Sequence, residues 1–247
     1  MQRWQHLLGR ATRHPLVTRA AVRLEPVALS AVVLAAGLLL IFVRLANVVG
    51  NAGTPAFDEW LIVVLRTPGN LADPVGPRWL EEMMRDFTAL GSTGVLTVLV
   101  LAVAGFLAMT RKGHAAVLVL LSVAGGVLVS QTMKWAYARP RPDLVPHSAE
   151  VFTASFPSGH SMMSAVVYLT LGALLARTQA NRAVKIYILA VAVIVTVLVG
   201  VSRVYLGVHW PTDVLAGWAL GAAWALTCWL VMTWLQARGQ VEGEVKR

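Results

Sequence analysis

The sequence is poor in charged residues and in cysteine, and both shortages restrict what the protein can be. Only 13% of its 247 residues are Asp, Glu, Lys or Arg, whereas a soluble domain has roughly 25%. Apolar residues make up 57% of the chain and the mean hydropathy is +0.67, so many of them must face something other than water. The single cysteine, Cys228, excludes an intrachain disulfide. These values exclude an ordinary soluble domain and indicate an integral membrane protein.

Acidic residues are scarce as well, with 12 against 21 basic residues and a formal net charge of +9. A basic excess can indicate nucleic-acid binding, but no basic face alternates with aromatic residues as in a single-strand binder. The basic residues instead cluster before the first apolar run and in short gaps between later runs. This distribution follows the positive-inside rule and favours contact with anionic lipid. We therefore expect membrane lipids, and no nucleic acid, as partners.

Six apolar segments approach the length of about 20 residues that a membrane-spanning helix needs. They run near Pro26–Ala46, Gly94–Met109, Ala115–Trp135, Ser161–Ala176, Val184–Val204 and Val214–Leu235. The second and fourth are short and are expected to continue into flanking residues. The sequence thus predicts an all-α, polytopic membrane helical bundle of about six transmembrane helices. We expect one domain, residues 1–247, with a basic cytoplasmic arm (1–25) and a cytoplasmic tail (236–247).

The segment between the first two spans has a different pattern. Residues 57–65 are apolar but too few to span, and apolar residues recur with helical spacing over residues 79–87, opposite a charged face. This pattern predicts a helix that lies in the outer membrane interface. A cap that packs on the bundle is an equally good interpretation.

The distribution of basic residues predicts which side each loop faces. One set of gaps contains most of them: Arg3, Arg10, Arg13, Arg19, Arg23, Arg111, Lys112, Arg177, Arg182, Lys185, Arg238, Lys246 and Arg247. The positive-inside rule assigns this set to the cytoplasm, with both termini. The remaining polar clusters then lie together on the outer side, because two spans separate them and an even number returns the chain to the same face.

Three cations in those clusters are placed to hold an anion. Lys134, Arg141 and Arg203 each lie at the edge of an apolar run, where an uncompensated charge is costly. Phosphate fits best, because each guanidinium group can donate two parallel hydrogen bonds to its oxygens and the lysine adds a point charge. Nearby acidic partners are few: Asp143, Glu150 and Asp213. Arg139 falls outside the spacing and is interpreted as a snorkelling or positioning charge.

The tetrapeptide Pro157-Ser158-Gly159-His160 precedes an apolar helix that is expected to begin near Ser161. Free amides at a helix start attract anions, and Gly159 allows the backbone to approach a ligand closely. Ser158 adds a hydroxyl that can bind phosphate or cap the helix. A capping turn alone is the simpler interpretation, but His160 at the same helix start favours a phosphate site.

A second histidine, His209, precedes Asp213 by four residues, with Pro211 suited to a first helical turn. The carboxylate can then hold one ring nitrogen and leave the other free as a nucleophile. We expect His209 to attack phosphorus and His160 to protonate the leaving oxygen and later activate water. A metal site of His160, His209 and Asp213, with His147 as a possible addition, is the rival hypothesis. Cations in the same pocket would repel a divalent ion, so no metal is expected.

These motifs resemble a known family. Lys134-x6-Arg141-Pro142, Pro157-Ser158-Gly159-His160 and Ser202-Arg203-x5-His209-x3-Asp213 match the three-part signature of the membrane branch of the type 2 phosphatidic acid phosphatase superfamily, over roughly Trp79 to Trp234. The resemblance implies a phosphohistidine on His209, oriented by Asp213, with His160 as general acid. It implies that phosphate is held by Lys134, Arg141, Arg203, Ser158 and the Gly159 amide. It implies no cofactor and no metal.

The expected function is that of a lipid phosphatase at the outer face of a bacterial cytoplasmic membrane. Within the resembled family the candidate substrates are polyprenyl diphosphate, phosphatidylglycerophosphate, phosphatidate and lipid A phosphates. Undecaprenyl diphosphate is ranked first and phosphatidylglycerophosphate second, although the motifs do not separate a monoester from a diphosphate. A phosphotransferase with the same site and a lipid-phosphate transporter without hydrolysis remain alternatives. The sequence does not indicate an oligomeric state.

Overall fold

The computed structural model describes residues 15–52, 55–145 and 153–238 of the chain. In chain order its elements are α1 (Pro15–Ala52), α2 (Ala56–Val64), β1 (Arg66–Thr67), β2 (Asn70–Pro74), α3 (Arg78–Ala89), α4 (Thr93–Met109), α5 (Gly113–Tyr137), α6 (Gly159–Arg177), α7 (Arg182–Tyr205) and α8 (Pro211–Ala237). The predicted helical membrane bundle is confirmed. The antiparallel hairpin of β1 and β2 was not predicted, because strands of two and five residues are too short for a periodic pattern.

Among the described residues, five helices are long and apolar enough to cross a membrane: α1 from Pro26 onward, α5, α6, α7 and α8. The expected span near Gly94–Met109 corresponds to α4. Its 17 residues reach only about 25 Å, short of the hydrocarbon core. Together with α3, across a bend of 47°, α4 qualifies as a sixth span. The helix predicted for the interface and the second span are thus two arms of one bent pair.

Helices α6 and α8 are packed against each other through two glycines on one face of α8. A Cβ atom on Gly217 would lie 2.7 Å from the carbonyl oxygen of Ser158, and one on Gly221 would lie 2.5 Å from that of Met162. Side chains at these positions would push the helices apart, so glycine allows the two backbones to approach closely. The contact brings the start of α6 beside the start of α8.

Further apolar clusters surround this pair. On one side Phe42 and Ala46 of α1 pack with Ala216 and Leu220 of α8 around Phe156. On the other side the buried apolar residues of α4 and α5 pack against Val167 of α6. The α6–α8 pair therefore forms the centre of the bundle, with its neighbours facing lipid on their outer surfaces.

The hairpin and α3 cover the end of α7. Arg66 is buried and its Nη1 donates to the carbonyl of Tyr205 at 2.8 Å, where the helix end carries partial negative charge. Gly207 follows with a φ of +71°, which ends the helix. Leu80 and Met84 of α3 pack on Leu206 and its neighbours, while Trp79 is 62% exposed. Helix α3 therefore packs on the bundle with one face, as the cap interpretation expects, and its other face is exposed.

Candidate active site

The predicted site residues all lie at the same end of the bundle. Lys134 is in the last turn of α5 and Arg203 in the last turn of α7. Ser158 caps the start of α6, and Asp213 is in the first turn of α8. Successive spans run in opposite directions, so the ends of α5 and α7 meet the starts of α6 and α8. The two spans between the motifs thus return the chain to the same end of the bundle, as expected.

The turn before α6 joins two of the motifs. The backbone N–H of Ser158 donates to the carbonyl of Asp213 at 3.0 Å. The Ser158 Oγ accepts from the Ser161 N–H at 3.4 Å and from the Ser161 hydroxyl at 3.0 Å. Ser158 therefore caps the helix, which was one of its two expected roles. A Cβ atom on Gly159 would lie 3.4 Å from Cε of Lys134. The glycine therefore leaves the helix start open toward the lysine.

The ring of His209 is fixed from both sides. Its Nδ1 lies 3.2 Å from Ser155 Oγ and 3.4 Å from Asp213 Oδ2, and the Ser155 hydroxyl donates to that same carboxylate oxygen. Because the serine proton goes to Asp213, the serine oxygen can only accept a proton from Nδ1. On the other side Nε2 lies 3.1 Å from Nη1 of Arg141, a permanent donor. Both sides favour the same tautomer, with the proton on Nδ1 and a lone pair on Nε2.

The surroundings keep this histidine neutral. The side chain of His209 is 1% exposed, and its pKa is held well below the ordinary value of 6.5. Burial is the largest cause, followed by the positive charges of Arg203, Arg141 and Lys134, with His160 contributing as well. Four of the predicted groups, the three cations and His160, therefore lie close enough to this imidazole to act on its charge.

The cations are held by the backbone around the site. Arg141 donates from Nη1 to the carbonyl of Val208 at 2.7 Å and from Nε to that of Thr153 at 3.0 Å. Lys134 Nζ donates to the carbonyl of Ala154 at 2.5 Å. Arg203 is 4% exposed and donates from Nη1 to Thr88 at 2.9 Å, and its Nε has no hydrogen-bond partner among the described residues. A buried guanidinium with an unused donor suits a bound anion.

His160 lies against the bend between α3 and α4. A Cβ atom on Gly91 would lie 3.4 Å from Cβ of His160 and 2.4 Å from Val199. The hydroxyl of Tyr168 donates to the carbonyl of Leu90 at 2.8 Å and fixes the bend from the α6 side. The half-buried His160 thus lies between the helix start and the wall that α3 and α4 form.

Three residues of this site were missed by the sequence interpretation. Thr153 and Ser155 lie within four residues of Pro157, the start of the Pro157-Ser158-Gly159-His160 motif, and this nearness in sequence was a signal that could have found them. Thr88 reaches Arg203 across 115 residues, and no local pattern predicts such a contact.

Arg139 was interpreted as a snorkelling or positioning charge, and its contacts agree with the second of these. It is 5% exposed, so snorkelling to water is wrong, and it forms ion pairs with Asp58 and Asp213. Asp58 was not among the acidic partners expected near the cations. Of those partners Asp213 is buried, Asp143 is exposed, and Glu150 lies outside the described residues.

The rival metal site is not supported in the parts of the chain that the structure describes, where no three His, Cys, Asp or Glu side chains are grouped to hold an ion. His147, its possible additional ligand, lies outside those parts. Metal independence itself stays a prediction.

Comparison with known proteins finds relatives of this chain. Residues 115–237 match the model of the PAP2 superfamily. Phosphatidylglycerophosphatase B of Bacillus subtilis (strain 168) is 35% identical over 190 residues, which cover 74% of this chain and 87% of the relative. The undecaprenyl-diphosphatase of Sulfolobus acidocaldarius is 33% identical over 104 residues, covering 42% of this chain and 45% of that protein.

A solved structure shares the fold. The crystal structure of a transmembrane PAP2-type phosphatidylglycerolphosphate phosphatase from Bacillus subtilis superposes with a TM-score of 0.74 at 30% identity, covering 81% of this chain and 96% of that one. With a multi-pass helical bundle, a cationic pocket and two histidines at one of its ends, the fold and the site define a membrane phosphatase. The chain belongs to the PAP2 superfamily.

Proposed function

We propose that this protein hydrolyses the phosphate ester or diphosphate of an amphiphilic lipid through a phosphohistidine on His209. The observation that carries the proposal is the fixed ring of that residue. Its Nδ1 is held by Ser155 and Asp213, and its Nε2 lone pair faces the guanidinium of Arg141. An imidazole that is neutral, oriented and surrounded by cations is a nucleophile for a phosphate group.

The phosphate is held by the groups around Nε2. The guanidinium groups of Arg141 and Arg203 and the ammonium group of Lys134 neutralise its charge, and the Gly159 amide and Ser158 hydroxyl supply neutral donors at the helix start. Their present contacts with backbone carbonyls hold Arg141 and Lys134 near His209. Arg203 brings the donor that has no partner in the described part of the chain.

The reaction then proceeds in two transfers. In the first, Nε2 of His209 forms a bond to phosphorus while the bond to the leaving oxygen breaks, and His160 gives that oxygen a proton. Asp213 stabilises the positive charge on the phosphorylated ring. In the second, His160 removes a proton from water, the water oxygen bonds to phosphorus, and the N–P bond breaks. Inorganic phosphate leaves and His209 is restored.

The order of the candidate substrates changes with the comparisons. The relative that aligns over most of both chains is a phosphatidylglycerophosphatase, as is the solved structure of the same fold. The undecaprenyl-diphosphatase aligns over less than half of each chain. These matches support phosphatidylglycerophosphate as the first candidate and undecaprenyl diphosphate as the second.

The distribution of charge supports an active site on the outer side of a bacterial cytoplasmic membrane. The site lies at one end of the bundle, whereas Arg111, Lys112 and Arg182 lie in turns or a helix start at the other. A Cys228→Ala background with either Asp143→Cys or Ala180→Cys tests this arrangement in intact cells. A membrane-impermeant maleimide should label position 143 only, and labelling of position 180 alone would reverse the topology.

A panel of lipid phosphates tests the function. Purified protein is assayed for phosphate release from phosphatidylglycerophosphate, undecaprenyl diphosphate, phosphatidate and lipid A, beside His209→Ala as a blank. We expect phosphatidylglycerophosphate to give the largest kcat/KM. Release from none of them would contradict the enzymatic proposal and favour transport. Transfer of phosphate to an added acceptor alcohol in preference to water would instead identify a phosphotransferase.

A further inference from the structure

A chain of buried charges lies behind the proposed phosphate site. The guanidinium of Arg139 is 5% exposed and forms ion pairs with two carboxylates, Asp58 at 2.8 Å and Asp213 at 2.6 Å. Both carboxylates are fully buried. Buried charges are costly unless the geometry and the additional hydrogen bonds are good. Of these three charged side chains only Asp213 also contacts a predicted site residue, His209. The burial of the other two therefore needs an explanation.

The pairing fixes the plane of the Asp213 carboxylate. Its Oδ1 accepts from Arg139, and its Oδ2 accepts from the Trp210 N–H at 3.0 Å and from the Ser155 hydroxyl. Rotation of the carboxylate would break an ion pair on one oxygen and two hydrogen bonds on the other. The oxygen that faces Nδ1 of His209 is therefore determined by the bond that Arg139 makes to the opposite oxygen.

Asp58 in turn fixes Arg139. Its Oδ2 accepts from Nη2 of Arg139 and from the hydroxyl of Thr212, and its Oδ1 accepts from the Thr212 N–H at 2.9 Å. The Thr212 hydroxyl also accepts from Nη1 of Arg139 at 2.8 Å. The Trp210 ring covers the guanidinium, with its centroid 5.4 Å from Cζ. The arginine is thus held on three sides, by α2, by the start of α8 and by the Trp210 ring.

Asp58 lies on helix α2, which buries a charged residue and exposes large apolar ones. Helix α2 buries Asp58 together with Ile62, while Phe57 is 48% and Trp60 58% exposed. Its apolar outer face suits the membrane, and its inner face delivers one carboxylate to Arg139. The helix lies outside residues 115–237, the segment that matches the family model.

We propose that Asp58 and Arg139 are positioning residues, which lock the Asp213 carboxylate in the orientation that keeps the proton of His209 on Nδ1. Helix α2 then contributes to turnover without touching the phosphate. This inference rests on the proposed function, in which His209 attacks through Nε2. It predicts that substitutions in the series Asp58–Arg139–Asp213 that leave Asp213 in place lower kcat. Phosphate binding should stay intact, because the three phosphate-binding cations are not part of this series.

The test uses three variants that preserve shape. Asp58→Asn removes one charge, Arg139→Lys keeps the charge but cannot bind two carboxylates with parallel donors, and Thr212→Val removes the shared hydroxyl without a change of charge. Each should lower kcat on the order of 10- to 100-fold, by analogy with residues that orient metal-bound histidines. KM and the Ki for inorganic phosphate should stay at their wild-type values. Glu59→Gln, an exposed carboxylate next to Asp58, is the matched control and should retain full kcat.

Two outcomes would overturn the inference. The first is a wild-type kcat in both Asp58→Asn and Thr212→Val. The second is a fall in kcat together with a higher Ki for phosphate, which would indicate a general structural loss. Thr212→Val decides the matter if the two charge variants do not fold. The double variant Asp58→Asn with Arg139→Lys should be no slower than the slower single variant, because both act through the same carboxylate.

A second readout does not depend on turnover. Imidazole nitrogen chemical shifts of selectively labelled histidine report the tautomer, and the His209 signal is assigned by its loss in His209→Ala. Wild type should show the proton on Nδ1, and Asp58→Asn should show a growing share of the other tautomer. An unchanged tautomer in that variant would overturn the inference even in a protein that hydrolyses lipid phosphates. If wild type hydrolyses none, the proposed function fails while the tautomer shift still decides the positioning role.

Discussion

The backbone N–H of Ser158 donates a hydrogen bond of 3.0 Å to the backbone carbonyl of Asp213. This bond joins the start of α6, which carries His160, to the start of α8, which follows His209. The two histidines therefore belong to one rigid frame rather than to two independent loops. The frame is possible because Gly217 and Gly221 let the α6 and α8 backbones approach closely.

Substitution of Gly217 tests the importance of this frame. A methyl group would lie 2.7 Å from the Ser158 carbonyl oxygen, so Gly217→Ala must move one helix. We expect a loss of about 1–3 kcal/mol in the free energy of unfolding, as for other overpacked sites, together with lower kcat. Gly105→Ala is the control, because no atom lies within 4 Å of its added methyl group. Equal behaviour of the two variants in thermal unfolding and phosphate release would contradict the prediction.

Removal of the Ser155 hydroxyl tests the tautomer of His209. In Ser155→Ala the Nδ1 proton keeps, among the described residues, Asp213 as its partner at 3.4 Å. We expect kcat to fall on the order of 10- to 100-fold, with KM nearly unchanged. Ser164→Ala is the matched control, since that hydroxyl donates to the carbonyl of Ser161 in its own helix. Full activity of Ser155→Ala would show that Asp213 alone orients the ring.

The pH dependence of kcat/KM follows from the charge around His209. Its pKa is lowered by burial and by the cations Arg203, Arg141 and Lys134. A lowered pKa means that the neutral, nucleophilic ring persists at more acidic pH, so the acidic limb of the profile should lie well below pH 6.5. Because His160 must carry a proton when it acts, kcat, which reports the enzyme with phosphate bound, should fall again as the pH rises further. A flat profile would contradict this division of labour.

Loss of one cation should move the acidic limb in a defined direction. In Arg141→Gln the charged imidazolium is less disfavoured, so the pKa of His209 rises and the limb shifts to higher pH, along with a lower kcat/KM at every pH. Arg78→Gln, at an exposed position on α3, should leave the limb where it is. An unmoved limb in Arg141→Gln would assign the limb to a group other than His209.

Chelation tests the metal rival. The proposed reaction uses three cationic side chains where a metal phosphatase would use divalent ions. Purified protein should therefore keep its full rate of phosphate release in excess EDTA. Loss of activity that added Mg²⁺ restores would contradict the account and favour a metal site at the histidines.

The sequence predicted the residues of the site better than their supports. His209 and Asp213 are four residues apart around Pro211, and a helix start there follows from local rules. That the motifs meet follows from the parity of the spans. The contact of Ser155 with His209 crosses 54 residues and that of Arg139 with Asp58 crosses 81. Such contacts depend on how the helices pack, which periodicity does not encode.

The fold shows the same division. Long apolar runs predicted α5, α7 and α8 closely, because membrane thickness determines their length. The bend of 47° between α3 and α4 was missed, since an amphipathic segment and a short apolar one give separate signals. The hairpin is held by Arg66 on the end of α7, a tertiary contact with no local signature.

Trapping the phosphorylated enzyme tests the central claim most directly. Protein mixed with lipid phosphate labelled in its phosphoryl group is quenched during turnover and digested under alkaline conditions, where a phosphohistidine survives, and the labelled peptide is sequenced by mass spectrometry. The account predicts label on His209, none in His209→Ala, and formation of the label slowed about 100- to 10,000-fold in His160→Ala, as expected for loss of a general acid. Label on another residue, or steady phosphate release by a folded His209→Ala variant, would contradict it.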